Sequence, residues 1–438
     1  MTSMLGSIKD MTGKALSLRR EAAKTRRLVD ACHQLLTERG EASGVSRAQE
    51  TLALYADLSR EEQLTFFRAL KTEFAPDPAR VLATATAYAA TPDSRHLAAL
   101  THAAEPPRQE LLRRLNRAPG GTKTIVGMRE RLLEVLPKDR ELQQVDDDFH
   151  HLLQSWFNPG FLRIARVDWN TPAMLLEQLI RHEAVHEIRG WNDLRRRLQG
   201  DRRCFAFFHP ALPDEPLIFV EVALLAEMPA AIEPLINVDS EPQPSKAFHT
   251  AAFYSISNCQ PGLRGVSMGN FLIKQVAGLL SAEFPRVKQF CTLSPIPGFR
   301  EWLKRMLAQP DVTLPYPVLE SLETIQRTIG PLLEKSIAEL RAAEKPRDKI
   351  ARDIERLCAA YLLHLSPTPQ GDPVARFHLD NGARLERLNA RGNMAAKGLK
   401  QSFGVMVNYL YDLDKIEASH EKFKQGEVAR SRAVHTVM

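Results

Sequence analysis

The sequence predicts an α+β protein in which an all-α N-terminal domain, residues 1–157, precedes a mixed α/β domain, residues 158–438. Three observations support this division. Apolar residues recur at helical spacing up to about residue 155, β-rich runs begin only after that point, and helical spacing returns between those runs. A helical region followed by a region of mixed strands and helices is typical of an α+β fold.

The N-terminal region carries repeated helix signals. One apolar helical face is formed by residues at i, i+4, i+7 and i+8, namely Leu28, Cys32, Leu35 and Leu36. Ser59 and Glu62 form a capping box that predicts the start of another helix. Proline and glycine at 76–78, 106–107 and 119–121 separate further segments. No ionisable groups cluster at a catalytic spacing, so we expect a packing or oligomerisation module.

The second region contains the strand candidates. Runs rich in β-branched and aromatic residues predict strands at 204–208, 217–222, 251–256, 290–293 and 405–411. The first two runs are joined by a proline-containing turn, as in a hairpin. Apolar residues between Leu272 and Leu280 recur at helical spacing, and a longer helical stretch covers roughly 299–365.

Composition excludes several classes of protein. The 438 residues are 44% hydrophobic and 26% charged, and no apolar run approaches the roughly 18–20 residues of a membrane span. A net charge of +6 is small for this length, and no nucleic-acid-binding motif is present. The five cysteines include no Cys-x-x-Cys pair, which indicates a reducing compartment and no thiolate metal site. Residues 1–27 are basic without an apolar core, so we expect a cytoplasmic protein, with an organellar presequence as the alternative.

Residues 182–186, His-Glu-Ala-Val-His, match the zinc-protease pattern H-E-x-x-H. Gly190 predicts that the helix ends four residues later, and no third ligand follows at a recognisable spacing. We therefore interpret the segment as a charged helix face and expect no metal site.

Residues 265–269 match G-x-S-x-G, the nucleophile turn of serine hydrolases. In those enzymes a strand runs directly into the serine, whereas Gln260-Pro261-Gly262 interrupts the extended run before Ser267. The glycines instead allow the backbone to approach a ligand closely, and the helix that follows presents free N–H groups to a pyrophosphate.

Two stiff turns carry the strongest signal, Leu293-Ser294-Pro295-Ile296-Pro297-Gly298-Phe299 and Phe377-His378-Leu379-Asp380-Asn381-Gly382-Ala383. Proline lacks an N–H, so only Ile296 and Gly298 can offer backbone donors to a ligand between Ser294 and Phe299. The first turn is therefore a polar corner with few donors, and the second supplies a histidine.

These segments, with the loop at 260–269, resemble the malonyl-CoA decarboxylase family, and the resemblance runs from about Trp156 to about Tyr411. The loop and its flanking elements also resemble the CoA-binding core of the GNAT acetyltransferases, whose Q/R-x-x-G-x-G/A pattern is matched by Arg264 and Gly269, with Ser267 at the usual middle glycine. This implies a GNAT-like fold with the thioester between the fourth and fifth strands, near Ser294. The implied catalytic residues are Ser294, His378 and Tyr411; the implied substrate or CoA ligands are Arg264, Gly265, Val266, Ser267, Met268, Gly269, Asn270, Ile296, Gly298 and Asn408.

The resemblance implies conversion of malonyl-CoA to acetyl-CoA and CO₂. The thioester carbonyl accepts the electrons as an enolate, so we expect no metal or organic cofactor; coenzyme A is part of the substrate. We expect His378 to protonate the enolate, because an unperturbed imidazole titrates near pH 6.5, and Ser294 to orient the malonyl group. Tyr411 and Asn408 are candidates for orienting His378 or the substrate.

Alternative functions remain open at the level of sequence. A GNAT-type acyltransferase would release CoA and an acylated acceptor, and a non-catalytic regulator would bind malonyl-CoA without turnover. A serine hydrolase would use Ser267. The family resemblance also implies a homo-oligomer, a dimer or a tetramer, assembled through the helical domain.

Overall fold

A computed structural model describes residues 22–266, 271–311, 313–328 and 348–438. These residues form two compact units. The first contains 22–162, 209–215 and 260–266, and the second contains 163–208, 216–259 and the described residues from 271 onward.

The described part of the first unit is helical, as predicted. Its helices are α1 (22–37), α2 (Glu41–Ala56), α3 (Arg60–Thr72), α4 (Pro78–Ala90), α5 (Ser94–Ala104), α6 (Pro107–Asn116), α7 (Gly121–Val135) and α8 (Gln143–Trp156). The predicted face of α1 is buried at Leu28, Cys32 and Leu35. The capping box of Ser59 and Glu62 is formed at the start of α3.

The second unit is built on a seven-stranded mixed sheet. Its strands are β1 (Arg163–Val167), β2 (Arg202–Phe208), β3 (Ile218–Leu225), β4 (Thr250–Asn258), β5 (Gln289–Thr292), β6 (Arg384–Asn389) and β7 (Met406–Tyr411). The strand order is β1-β2-β3-β4-β5-β7-β6. Only β4 and β5 are parallel; the other neighbours are antiparallel.

Helices cover this sheet and connect its strands. They are α9 (Ala173–His182), α10 (Trp191–Arg197), α11 (Glu233–Ile236), α12 (Phe271–Glu283), α13 (Phe299–Ala308), α14 (Tyr316–Thr328), α15 (Asp348–Leu365), α16 (Pro373–Asp380), α17 (Ala396–Ser402), α18 (Ile416–Lys424) and α19 (Arg432–Val437). None of the described helices is long and apolar enough to cross a membrane.

All five predicted strand runs lie in strands or directly beside them, and the predicted α+β class, a helical region followed by a mixed sheet with helices, is confirmed. The predictions missed β1 and β6, which are the two edges of the sheet. Both are partly exposed and carry charged residues, so neither shows the apolar signal of a buried strand.

The sheet opens between β4 and β5. Their parallel pairing ends at Phe253 and Thr292, while β4 continues to Asn258. The chain beyond β5 pairs with β7 instead, through Ser294 and Val407. We call this opening the β4–β5 gap; it lies between the two strands where the resemblance to the GNAT fold predicts the thioester.

Candidate active site

The backbone of Ser294 is held at the edge of the β4–β5 gap. Its N–H donates to Val407 O at 2.8 Å, and the Val407 N–H donates to Ser294 O at 2.9 Å. The Ser294 N–H is therefore occupied, and the part of this residue that can act on a ligand is its hydroxyl group.

The three predicted catalytic side chains form one hydrogen-bonded chain. Ser294 Oγ lies 3.1 Å from His378 Nε2, and His378 Nδ1 lies 2.8 Å from the Tyr411 hydroxyl oxygen. His378 comes from the last turn of α16 and Tyr411 from the end of β7. All three residues are at least nine-tenths buried. Residues distant in sequence are thus brought into direct contact.

A fourth residue, Thr292, extends this chain and was not singled out from the sequence. Ser294 Oγ donates to Thr292 Oγ1 at 2.9 Å, and Thr292 Oγ1 also accepts from the Tyr409 N–H at 3.2 Å. Side chains two residues apart on an extended chain point to the same face, so the spacing from Ser294 could have identified it.

Burial controls the protonation state of the imidazole. Desolvation lowers the pKa of His378 from 6.5 to about 3, and the ring stacks on Tyr409 with 4.8 Å between ring centroids. Burial also raises the pKa of the Tyr411 phenol well above its ordinary value. The argument that His378 titrates near pH 6.5 is therefore wrong for this site: at neutral pH the imidazole is neutral and the phenol protonated.

A neutral imidazole has one N–H and one acceptor nitrogen. In one arrangement Tyr411 donates to Nδ1 and Nε2–H donates to Ser294 Oγ. In the other, Nδ1–H donates to Tyr411 and the Ser294 hydroxyl turns its one hydrogen from Thr292 Oγ1 to Nε2. The uncharged chain is therefore compatible with either tautomer of His378.

Asn408 is fully buried and its amide group is saturated by protein partners. Its Nδ2 donates to Thr292 O at 2.8 Å and Pro229 O at 3.1 Å, while its Oδ1 accepts from Arg387 Nε and Asn389 Nδ2. Two donors and two acceptor positions are the whole capacity of an amide. Asn408 therefore positions β5 beside β7, and the predicted contact with substrate is not available to it in this structure.

The N–H of Gly298 is also occupied, because it donates to Asp372 Oδ2 at 2.9 Å. A Cβ atom at Gly298 would lie 2.2 Å from the Tyr361 hydroxyl oxygen, so glycine is required for this close approach. Of the two predicted backbone donors, Ile296 alone has no hydrogen-bond partner for its N–H among the described residues. The Ile296 N–H is therefore the remaining candidate donor to a ligand in this loop, and Ile296 is fully buried.

The described part of the predicted CoA loop belongs to the first unit. Arg129, on α7, donates to Gly262 O and to Arg264 O, both at 2.8 Å. Its guanidinium is itself buried and paired with Asp146 at 2.8 Å. Gly265 has φ +82°, which favours glycine, and its carbonyl lies 3.0 Å from His150 Nε2. Sequence analysis missed Arg129, whose role depends on contacts between distant segments.

Comparison with known proteins agrees with the earlier resemblance. A family model described as the malonyl-CoA decarboxylase C-terminal domain matches residues 160–438, and one for the N-terminal domain matches residues 74–157. The chain belongs to the malonyl-CoA decarboxylase family.

Individual members of this family support the assignment. The mitochondrial malonyl-CoA decarboxylase of Anser anser anser is 37% identical over 329 residues; the match covers 70% of this chain and 64% of that relative. Crystal structures of malonyl-CoA decarboxylase from Rhodopseudomonas palustris and Agrobacterium vitis are both 46% identical and have TM-scores of 0.85 and 0.84. Each of these two matches covers 94% of this chain and 99% of the chain in the crystal structure.

The interpretation of 182–186 as a helix face is wrong for this family member. Helix α9 ends at His182, and the Glu183 carboxylate then accepts the N–H groups of Val185 and His186. The same carboxylate accepts the hydroxyl groups of Ser255 and Ser257 on β4. A side chain that binds local backbone donors competes with the helix, which explains the early end.

This segment also contains a second buried histidine. Desolvation, with smaller contributions from the charges of Arg197 and Lys397, lowers the pKa of His186 to about 3. Among the described residues no group of three or more histidine, cysteine or acidic side chains could hold a metal ion.

Of the remaining predicted CoA ligands, one lies among the described residues and four do not. Val266 is buried and its N–H donates to Leu263 O. Ser267, Met268, Gly269 and Asn270 lie outside the described residues, so their predicted contacts with CoA stay predictions. The expected interruption before Ser267 is confirmed, because β4 ends at Asn258 and a 3₁₀ turn follows at Pro261–Leu263.

Proposed function

We propose that this protein is a carboxy-lyase that converts malonyl-CoA to acetyl-CoA and CO₂, with Ser294 and His378 as catalytic residues. One observation carries the proposal: the buried chain Ser294–His378–Tyr411 lies at the β4–β5 gap in a member of the malonyl-CoA decarboxylase family.

The first step breaks the bond between the malonyl carboxylate and the α-carbon. The electron pair of that bond moves into the thioester to form an enolate, and CO₂ leaves. On substrate binding the Ser294 hydroxyl turns its one hydrogen from Thr292 Oγ1 to the malonyl carboxylate or the thioester oxygen. One well-placed donor to a developing oxyanion contributes about 3 kcal/mol.

The second step delivers a proton to the α-carbon. The neutral His378 takes up a proton when substrate binds, because the malonyl carboxylate supplies an opposite charge to an otherwise desolvated imidazole. After CO₂ leaves, the negative charge lies on the enolate, and the imidazolium returns to its neutral form by protonating carbon. The balance is malonyl-CoA plus one proton to acetyl-CoA plus CO₂.

Tyr411 contacts the other ring nitrogen of the imidazole, Nδ1. Its hydroxyl group lies 2.8 Å from Nδ1 and fixes the ring orientation so that Nε2 faces Ser294. Because the thioester carbonyl accepts the electrons, the reaction as proposed uses no metal and no organic cofactor.

The test is to dialyse the purified protein against a chelator, incubate it with malonyl-CoA and identify products by mass spectrometry. Acetyl-CoA from the parent, with turnover lowered by about 10² or more in His378→Ala and Ser294→Ala, is the expected result. Ser366→Ala is the matched control, since Ser366 is equally buried and its hydroxyl has no partner among the described residues. Intact malonyl-CoA would contradict the proposal, and an acylated amine acceptor would favour an acyltransferase.

We also propose a homo-oligomer assembled through the helical unit. Helix α4 has no buried residue, and Leu82 and Leu97 of the α4–α5 pair are 70% and 46% exposed. Light scattering of the parent and of Leu82→Glu tests this, and a monomeric parent would refute it.

A cytoplasmic location also stays a proposal. The goose relative is described as mitochondrial, so cell fractionation has to decide for this chain.

A further inference from the structure

Asp372 lies between the two segments that carry Ser294 and His378. It is 1% exposed and stands at the N-cap of α16, where Oδ1 accepts the N–H groups of Val374 and Ala375 at 3.0 and 3.1 Å. Its other oxygen, Oδ2, accepts the Gly298 N–H at 2.9 Å. One carboxylate therefore binds the start of one catalytic segment and the end of the other.

The geometry on both sides is stiff. Gly298 follows Ser294 by four residues, two of which are prolines with fixed φ. On the other side Asp372 precedes His378 by six residues within one helix, a span of about 9 Å at helical rise. A shift of either segment at Asp372 is thus transmitted to the Ser294–His378 contact rather than absorbed by a flexible loop.

Tyr361, on α15, packs against this link, and its hydroxyl group occupies the space that a Cβ at residue 298 would need. Asp372 therefore accepts three backbone N–H groups from two segments, and it is almost fully shielded from water. An ordinary N-cap needs only the two helix N–H groups.

We propose that Asp372 is a positioning residue for the decarboxylation, which sets the distance between Ser294 Oγ and His378 Nε2 by joining the two catalytic segments through one carboxylate. This inference rests on the proposed function. It assigns no contact between Asp372 and substrate.

The decisive variant is Asp372→Asn, because an amide has only one acceptor oxygen. That oxygen can cap α16 or accept the Gly298 N–H, but it cannot serve both sides. We expect kcat to fall at least tenfold with KM within twofold of the parent. The reason is that the distance between Ser294 Oγ and His378 Nε2 is no longer fixed, while the contacts with CoA stay.

The matched control is Asp77→Asn, at the N-cap of α4. Asp77 also precedes a proline at the first helical position, but its side chain accepts only from the N–H of Ala79, the second residue of the helix, at 3.0 Å. Both variants keep an acceptor oxygen for the helix N–H groups and lose a carboxylate charge at an N-cap, so a parental kcat in Asp77→Asn assigns the effect in Asp372→Asn to the link with Gly298.

A double-mutant cycle separates positioning from general destabilisation. If Asp372 acts through the Ser294–His378 contact, Asp372→Asn lowers turnover less than twofold in a Ser294→Ala background. A full tenfold loss in that background would overturn the proposal, as would parental kcat in the single variant.

A crystal structure of Asp372→Asn provides a readout that does not depend on activity. The Ser294 Oγ to His378 Nε2 distance should exceed 3.5 Å, whereas an unchanged 3.1 Å contact would overturn the inference. If the parent failed to decarboxylate malonyl-CoA, the proposed function would be refuted. The distance in the Asp372→Asn crystal structure would still decide whether Asp372 positions Ser294 relative to His378.

Discussion

Two buried neutral histidines should make the protein lose stability in mild acid. The pKa values of His378 and His186 are lowered to about 3 in the folded protein, against 6.5 for an unperturbed histidine. Between these values the unfolded chain binds more protons than the folded one, so the free energy of unfolding falls as pH falls. This loss begins near pH 6.5 and continues toward pH 3.

The size of the effect follows from the two pKa values. For one histidine, moving from pH 7 to pH 5 lowers the free energy of unfolding by about 2 kcal/mol, and for both by about 4 kcal/mol. This is a large part of the 5–15 kcal/mol that is typical of a folded domain.

Urea unfolding at pH 7 and pH 5, followed by tryptophan fluorescence, measures the loss. In His378→Gln and in His186→Gln the loss between the two pH values should be smaller than in the parent by about 2 kcal/mol, because glutamine does not titrate. His435→Gln, at an exposed histidine of the same unit, should lose as much as the parent. Equal losses in the parent and in His378→Gln would refute the neutral buried imidazole.

Three further predictions concern His378, Arg129 and Asn408. With malonyl-pantetheine as substrate, kcat/KM should keep rising from pH 7.5 to 5.5, because His378 takes up its proton on binding; a plateau below pH 6.5 would indicate an ordinary histidine. Arg129→Leu should lower the free energy of unfolding by about 3–5 kcal/mol in urea titration, since it leaves Asp146 buried without its partner, and adding Asp146→Leu should restore part of the loss. Asn408→Ala should cost about 2–4 kcal/mol in the same assay, because it removes the donor from two backbone carbonyls; a loss below 1 kcal/mol would contradict the saturated network.

Local patterns predicted the elements whose signal is local. The hairpin of β2 and β3 and the strands β4, β5 and β7 are buried, so their apolar runs were visible in the sequence. The edge strands β1 and β6 have no such run, because one side of an edge strand faces solvent. The end of α9 at His182 was missed because a tertiary network holds Glu183, whose carboxylate then captures backbone donors.

The candidate site divides in the same way. The sequence by itself determined the family and the motif residues Ser294 and His378, since a turn with two prolines and a histidine turn are properties of short segments. Only the tertiary structure decided that the two side chains touch, that the imidazole is neutral, and that Thr292 and Asp372 hold them. Hydrogen bonds and desolvation arise from groups that folding brings together from distant parts of the chain. The spacing of residues along the sequence therefore cannot predict either of them.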